Sequence, residues 1–159
     1  MNLTKLVKLI YLSDREALVR SGRPITMDMF CSLRYGPIVS NTLNLINEQP
    51  DPNEPRYWHQ FVSERGADYN VSLQRDPVVD QLSRFEEEVI ESIYKKFGHL
   101  NQWQLIDYTH TLPEWKDPGT SMLPIQLRDI LIPAGYKEGE IEEIEAELDH
   151  VSQVDRVLL

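Results

Sequence analysis

Apolar residues recur at helical spacing from the start of the chain. Leu3, Leu6, Val7, Ile10 and Ala17 share one stripe, which predicts a first helix over residues 2–20. Asn2 suits its N-cap and Gly22 its stop. Asp14 lies on the same stripe, between Ile10 and Ala17, where a carboxylate needs a partner or hydrogen bonds. Thr26 is expected to cap a short second helix over residues 27–33, with Asp28 in its first turn. Gly36-Pro37 ends that segment. Pro37 suits the first turn of a third helix running to about residue 48, with Ile38, Leu43 and Ile46 inward. Gln49 to Pro55 reads as a stiff polar linker.

The period then changes to two. Trp58, Gln60 and Val62, then Tyr69, Val71 and Leu73, alternate with other positions around Gly66, and predict a β-hairpin that Asp76-Pro77 closes. Ser83-Arg84-Phe85-Glu86 has the form of a capping box and opens a long helix ending near Phe97-Gly98. Asn101, with Gln104 behind it, opens another helix that ends before Pro113. A loop carries Trp115, Pro118 and Gly119, and a short helix over residues 125–132 follows Pro124. From about Gly139 the tail is an amphipathic helix. Ile141, Ile144, Leu148, Val151 and Leu158 mark one face, and six glutamates of residues 138–147 lie mostly around the others.

These elements predict a mainly α, α+β fold: a compact helical domain with one small antiparallel β-hairpin. Residues 1–159 read as a single domain, with helices and hairpin over 2–76, a helical half over 83–135 and the acidic tail helix over 138–159. In the N-terminal half the order of elements is that of a winged helix.

Composition narrows the picture. The hydrophobic fraction of 41% and charged fraction of 26% belong to an ordinary globular chain. No apolar run is long enough to span a bilayer, and Lys5 and Lys8 interrupt the apolar start, so no signal peptide is read there. The single Cys31 cannot form an internal disulfide, which fits a reducing cytoplasm.

The net charge of −10 argues against nucleic acid as the main partner. It is unevenly spread, with a local net of +3 over residues 1–35 and −13 over the rest. An acidic surface steers a basic partner, and also simply keeps a protein soluble.

Candidate chemistry is sparse. Asp14-Arg15 reads as a functional pair or as a structural one, with Asp14 satisfied by a helix terminus or a buried partner. Arg34-Tyr35-Gly36-Pro37 puts a cation beside the N-terminus of the predicted third helix. Free N–H groups there suit a partner's carboxylate or phosphate, or Asp14 from within the domain. Asp107 and His110 share a helix face, which suits two metal ligands, an acid/base pair, or a His hydrogen-bonded to its own carboxylate before Pro113. His59, His99 and His150 supply no third ligand at metal spacing, so no metal or cofactor is expected. Cys31 has no base at recognisable spacing and reads as a small buried residue, so no catalytic residue is assigned. Trp58, Trp103 and Trp115 read as core or semi-buried anchors, Trp115 equally as a binding anchor in its loop.

The winged-helix order supplies a competing function, a DNA-binding regulator. Its recognition helix would hold Asn41 and Asn44 but no Lys or Arg.

Three stretches of the first forty residues, with two further down, carry a resemblance. They are Lys8-Leu9-Ile10-Tyr11-Leu12-Ser13-Asp14-Arg15, Gly22-Arg23-Pro24-Ile25-Thr26, Tyr35-Gly36-Pro37-Ile38-Val39-Ser40, Tyr57-Trp58-His59, and Ile106-Asp107-Tyr108-Thr109-His110 through Trp115-Lys116. In this order, over roughly residues 3–135, the chain resembles the Panacea, or SocA-like, domain of bacterial and phage antitoxins. The resemblance implies a non-enzymatic antitoxin that neutralises a cognate protein toxin by direct contact, without a cofactor. In the SocA branch it also implies an adaptor that delivers the toxin to a AAA+ protease. Asp14, Arg15, Trp58, Asp107, His110 and Pro113 then stand as signature positions. Arg34, Tyr35, Gly36, Pro37, Ser40, Trp115, Ile141, Ile144 and Leu148 are the candidate contact residues. Deleting residues 139–159 is expected to abolish binding and leave a folded core. Family members usually carry a helix before the Lys-Leu-Ile-Tyr helix. Its lack here is expected to leave an apolar face of the first helix open, favouring a homodimer or instability.

Overall fold

The computed structural model describes residues 1–47, 57–77 and 81–158. Among these, seven helices surround a small sheet, and about 53% of the chain is helical, so the mainly α class with a small β part holds. In chain order the elements are α1 (Leu3–Ser21), β1 (Phe30–Leu33), β2 (Gly36–Val39), α2 (Ser40–Asn47), α3 (Tyr57–Phe61), α4 (Arg84–Phe97), α5 (Gln102–His110), β3 (Leu123–Pro124), α6 (Leu127–Leu131) and α7 (Glu138–Leu158). The sheet is antiparallel with order β2-β1-β3, and Cys31 stands opposite both Ile38 and Pro124.

Helix α1 is the spine. The Asn2 side chain accepts from the Lys5 N–H at 3.3 Å, and Gly22 ends the helix in the left-handed region at φ 75°. Leu3 and Val7 pack into one apolar cluster with Cys31, Ile38, Ile46 and Val71. Leu9, Tyr11, Leu12, Ala17 and Leu18 pack into a larger one with residues of α4, α5, α6 and α7. The apolar face expected to stand open on this helix is therefore covered by the domain itself, and the reason for expecting a homodimer goes with it.

Residues 27–33 are not a helix, and the winged-helix order fails there: a β-hairpin follows α1 directly. Thr26, the expected cap, instead gives its N–H and hydroxyl to Asp14. Met27 then turns at φ 55°, which no helix tolerates, and Asp28 reaches across to α2. Nor do Pro37, Ile38 and Val39 begin a helix. The two β-branched residues pair with β1, and α2 starts only at Ser40.

The second predicted hairpin is also corrected. Tyr57–Phe61 is a short helix, and only one antiparallel bridge, Val62 to Leu73, joins the two runs. Trp58 and Val62 lie four apart, a spacing that serves a helix face as well as a strand face, and both pack on the Leu3 cluster. The Asn70 end bridges Asn2 instead. The linker predicted at Gln49 to Pro55 lies outside the described residues.

Both capping boxes form as read. Ser83 N–H donates to Glu86 at 2.7 Å, and Asn101 N–H donates to Gln104 at 2.9 Å. The tail helix also forms, but its apolar face is turned inward. Ile141 is fully buried in the main core, and Ile144 packs against the same cluster beside Gly22.

Candidate protein-binding surface

The polar residues of the first signature line the buried side of α1. Asp14 accepts from the N–H groups of Ile25 and Thr26 at 3.0 and 2.9 Å, and from the Thr26 hydroxyl. It thus fastens the Gly22–Thr26 step to the helix and does not reach the Gly36-Pro37 turn. Burial nonetheless holds its carboxyl above the usual range, against the pull of the Thr26 and Ile25 hydrogen bonds. Arg15 Nε donates to Glu114 Oε1 at 2.6 Å, and the Tyr11 hydroxyl donates to the same oxygen at 2.8 Å. Burial first, and then the Glu114 charge, push the Tyr11 phenol well up. The two signatures are therefore bonded to each other.

The second signature closes over the β1–β2 hairpin. Trp115 is half-buried, stacks on His110 at 4.0 Å between centroids, and donates from Nε1 to Leu33 O at 3.1 Å. Asp107 is exposed and makes no hydrogen bond to His110 among the described residues, which removes the expected pair. His110 Nε2 is buried without a partner. Among the described residues no three His, Cys, Asp or Glu side chains gather as a metal site. Trp58 is half-buried against the second cluster, and Pro113 is exposed.

Of the candidate contact residues, Arg34 and Tyr35 are exposed at the hairpin turn, while Gly36, Pro37 and Ser40 are buried. Gly36 has φ 93°, and a Cβ there would stand 2.6 Å from Thr109 Oγ1 and 3.0 Å from Lys8 Nζ. The N-terminus of α2 is not free for a ligand. Asp28 accepts from the N–H groups of Asn41 and Thr42 at 2.9 and 2.7 Å. A carboxylate at that position repels phosphate, and α2 carries no Lys or Arg, so the DNA-reading helix loses its basis. In the tail, Ile141 is buried, and Ile144 and Leu148 are half-buried.

Three exposed aromatic side chains lie together. Tyr35, Tyr69 and Trp103 are 58%, 54% and 61% exposed and line one groove of about 450 Å³. A second cleft of about 190 Å³ adjoins it through Thr4, Tyr35 and Tyr69, and has Lys8 and Arg65 in its walls. The Arg65 guanidinium lies 4.6 Å from the centre of the Tyr69 ring. Trp103 was expected among the anchors of the core. Its polar neighbours Gln102 and Gln104, off the Leu105–Ile106–Thr109 face, are the sequence signal of its exposure. Tyr69, Arg65 and Lys8 had no such signal, because no periodic pattern links residues so far apart in the chain.

These features define a mainly helical domain whose signature polar residues stitch its interior and three of whose exposed aromatics, Tyr35, Tyr69 and Trp103, share one groove. Residues 6–116, well over half the chain, match the model of the SocA-like antitoxin family, Panacea domain. The chain belongs to that family. No curated protein and no solved structure matches it. Among the described residues, no helix is long and apolar enough to cross a membrane.

Proposed function

We propose that this protein is an antitoxin that neutralises a cognate protein toxin in the cytoplasm by direct contact, without catalysis or a cofactor. The family match over residues 6–116 carries this reading. Two features of the molecule support it. Asp14, Arg15, Tyr11 and Glu114 are consumed by bonds within the domain, which leaves them holding the scaffold. Exposed Tyr and Trp side chains gathered on one groove are the residue types that dominate the energetics of protein interfaces. Delivery of the bound toxin to a AAA+ protease starts from the same docking step, and the toxin's half-life separates delivery from simple capping.

The test is to express the protein encoded beside this one alone and together with it. Growth arrest that is rescued, with co-purification of the two proteins, is the expected result. A harmless neighbour, or rescue without a complex, overturns the reading.

A further inference from the structure

Lys8 is a buried amine that no carboxylate of the described residues neutralises. It is 1% exposed, and its ammonium makes one hydrogen bond, to Pro37 O at 2.7 Å. Two of its three N–H donors have no partner among the described residues, and no carboxylate pairs with it there. Arg15, two turns along the same helix, has Glu114. Burial alone drives the Lys8 pKa down to about 7. An unpaired buried charge is expensive, and a nearby anion is what offsets it.

The surroundings supply a place for that anion. Lys8 lines the 190 Å³ cleft together with the apolar side chains of Leu3, Val7, Ile38 and Leu43. At roughly 30 Å³ per water-sized group, that is room for about six heavy atoms, enough for an Asp or Glu side chain. Among the described residues, the charged side chains in its walls are Lys8 and Arg65, both positive, on a chain of net charge −10. In the adjoining groove Asp68 is already occupied, accepting from the Asn70 N–H and amide at 3.1 and 2.7 Å.

We propose that this cleft receives an aspartate or glutamate side chain of the toxin, its carboxylate against the Lys8 ammonium, while apolar neighbours of that residue lie on Tyr35, Tyr69 and Trp103. This rests on the antitoxin reading for the identity of the partner. Complementarity of charge selects the occupant: a basic or purely apolar segment leaves Lys8 unpaired in a closed interface, where desolvation deepens the penalty. The aromatic edge holds the flanking residues, and the cleft fixes register.

The test uses the full chain and a displayed library of linear peptides. Selected peptides are expected to share one Asp or Glu position beside apolar residues. Replacing that acid with its amide should weaken binding by about tenfold or more. Lys8→Met has nearly the same volume and removes a buried charge, so it should melt no lower than wild type and bind acid and amide peptides alike. Tyr35→Ala, at an exposed position, should weaken both peptides together. A selection without an acidic position, or a Lys8→Met protein that keeps the preference for acid, overturns the proposal. Glutarate binding as tightly as the peptide overturns it in favour of a small acid, and self-association that Lys8→Met removes overturns it in favour of a second copy. Rescue of growth by Lys8→Met would sink the cleft and leave the antitoxin reading standing, whereas a wild-type chain that fails to rescue sinks the reading itself.

Discussion

Arg15 and Glu114, 99 positions apart in the chain, meet with Arg15 Nε 2.6 Å from Glu114 Oε1. Glu114 has no exposed side-chain surface, while Arg15 keeps 20% of its own. The bond joins the N-terminal signature to the loop after α5, and Tyr11 adds a second donor to the same carboxylate. Removing the acid leaves a buried hydroxyl and a mostly buried guanidinium unpaired. Glu114→Ala should therefore lower stability by about 3 kcal/mol, read as a shift in the urea midpoint at constant slope. An unchanged midpoint would show that water replaces the carboxylate.

Asp14 makes a different prediction because its partners are neutral. Asp14→Ala orphans two N–H groups and a hydroxyl and should cost about 3 kcal/mol. Asp14→Asn keeps an acceptor for Ile25 and Thr26 and should cost about 1 kcal/mol. The pH dependence has a definite sign. The folded carboxyl titrates above its usual 3.8, so the fold favours the protonated form. Stability from this group is fullest below 3.8 and falls as pH rises toward the raised value. Asp14→Asn should remove that fall. A wild-type curve that already rises through this window, and matches the variant, would contradict it.

Gly36 sits where nothing larger fits. A methyl there meets Thr109 Oγ1 at 2.6 Å and demands a positive φ of 93° from an L residue. Gly36→Ala should cost about 2 kcal/mol or more and lower the melting temperature. Thr109→Ala in the same chain should recover part of the loss, since it removes the contact but not the backbone strain.

What could be read in advance was local. Ser83 with Glu86, and Asn101 with Gln104, announce their helices because each capping box is complete within four residues. The need of Asp14 for partners was also legible from its place on an apolar stripe. Its partners were not, because Ile25 and Thr26 lie in a loop without periodicity. The β1–β2 hairpin was missed for a related reason. Asp28 has the look of a first-turn acid, yet it caps α2 from 13 and 14 positions away. Pro37 suits a strand edge as well as a helix start. In the site, Tyr35 was legible from its turn. Lys8 was visible only as a charge interrupting an apolar run, and its bond to Pro37 O joins residues 29 positions apart.

The tail helix belongs to the core before it belongs to any partner. Deleting residues 139–159 was expected to leave a folded domain, yet Ile141 is fully buried among residues of α1, α4 and α6. Ile141→Ala should cost about 3 kcal/mol, measured by chemical denaturation. Glu142→Gln and Glu143→Gln, on the exposed side, should leave stability unchanged, so any effect of theirs on toxin binding reads the acidic face alone.

Lys8 links stability to the proposed contact. Its ammonium titrates at about 7 in the fold, against 10.5 when unburied. Below about pH 7 both states are charged and the fold carries the full desolvation cost. Between these values the unfolded chain holds a proton that the folded chain has released. Stability should therefore rise with pH through this window, by about 1.4 kcal/mol per pH unit at most. Among the described residues, Lys5 and Tyr11 flank Lys8 one turn away on α1, Tyr35, Tyr69 and Arg65 share its cleft, and His110 lies with it beside Gly36; Lys8→Met leaves all six in place. The difference between wild-type and variant urea midpoints, followed upward from about pH 7, isolates Lys8. It should narrow as the wild-type ammonium loses its proton. Parallel curves would mean that the ammonium stays charged in the fold, solvated or paired by some other route, and the case for an incoming carboxylate would lose its energetic basis.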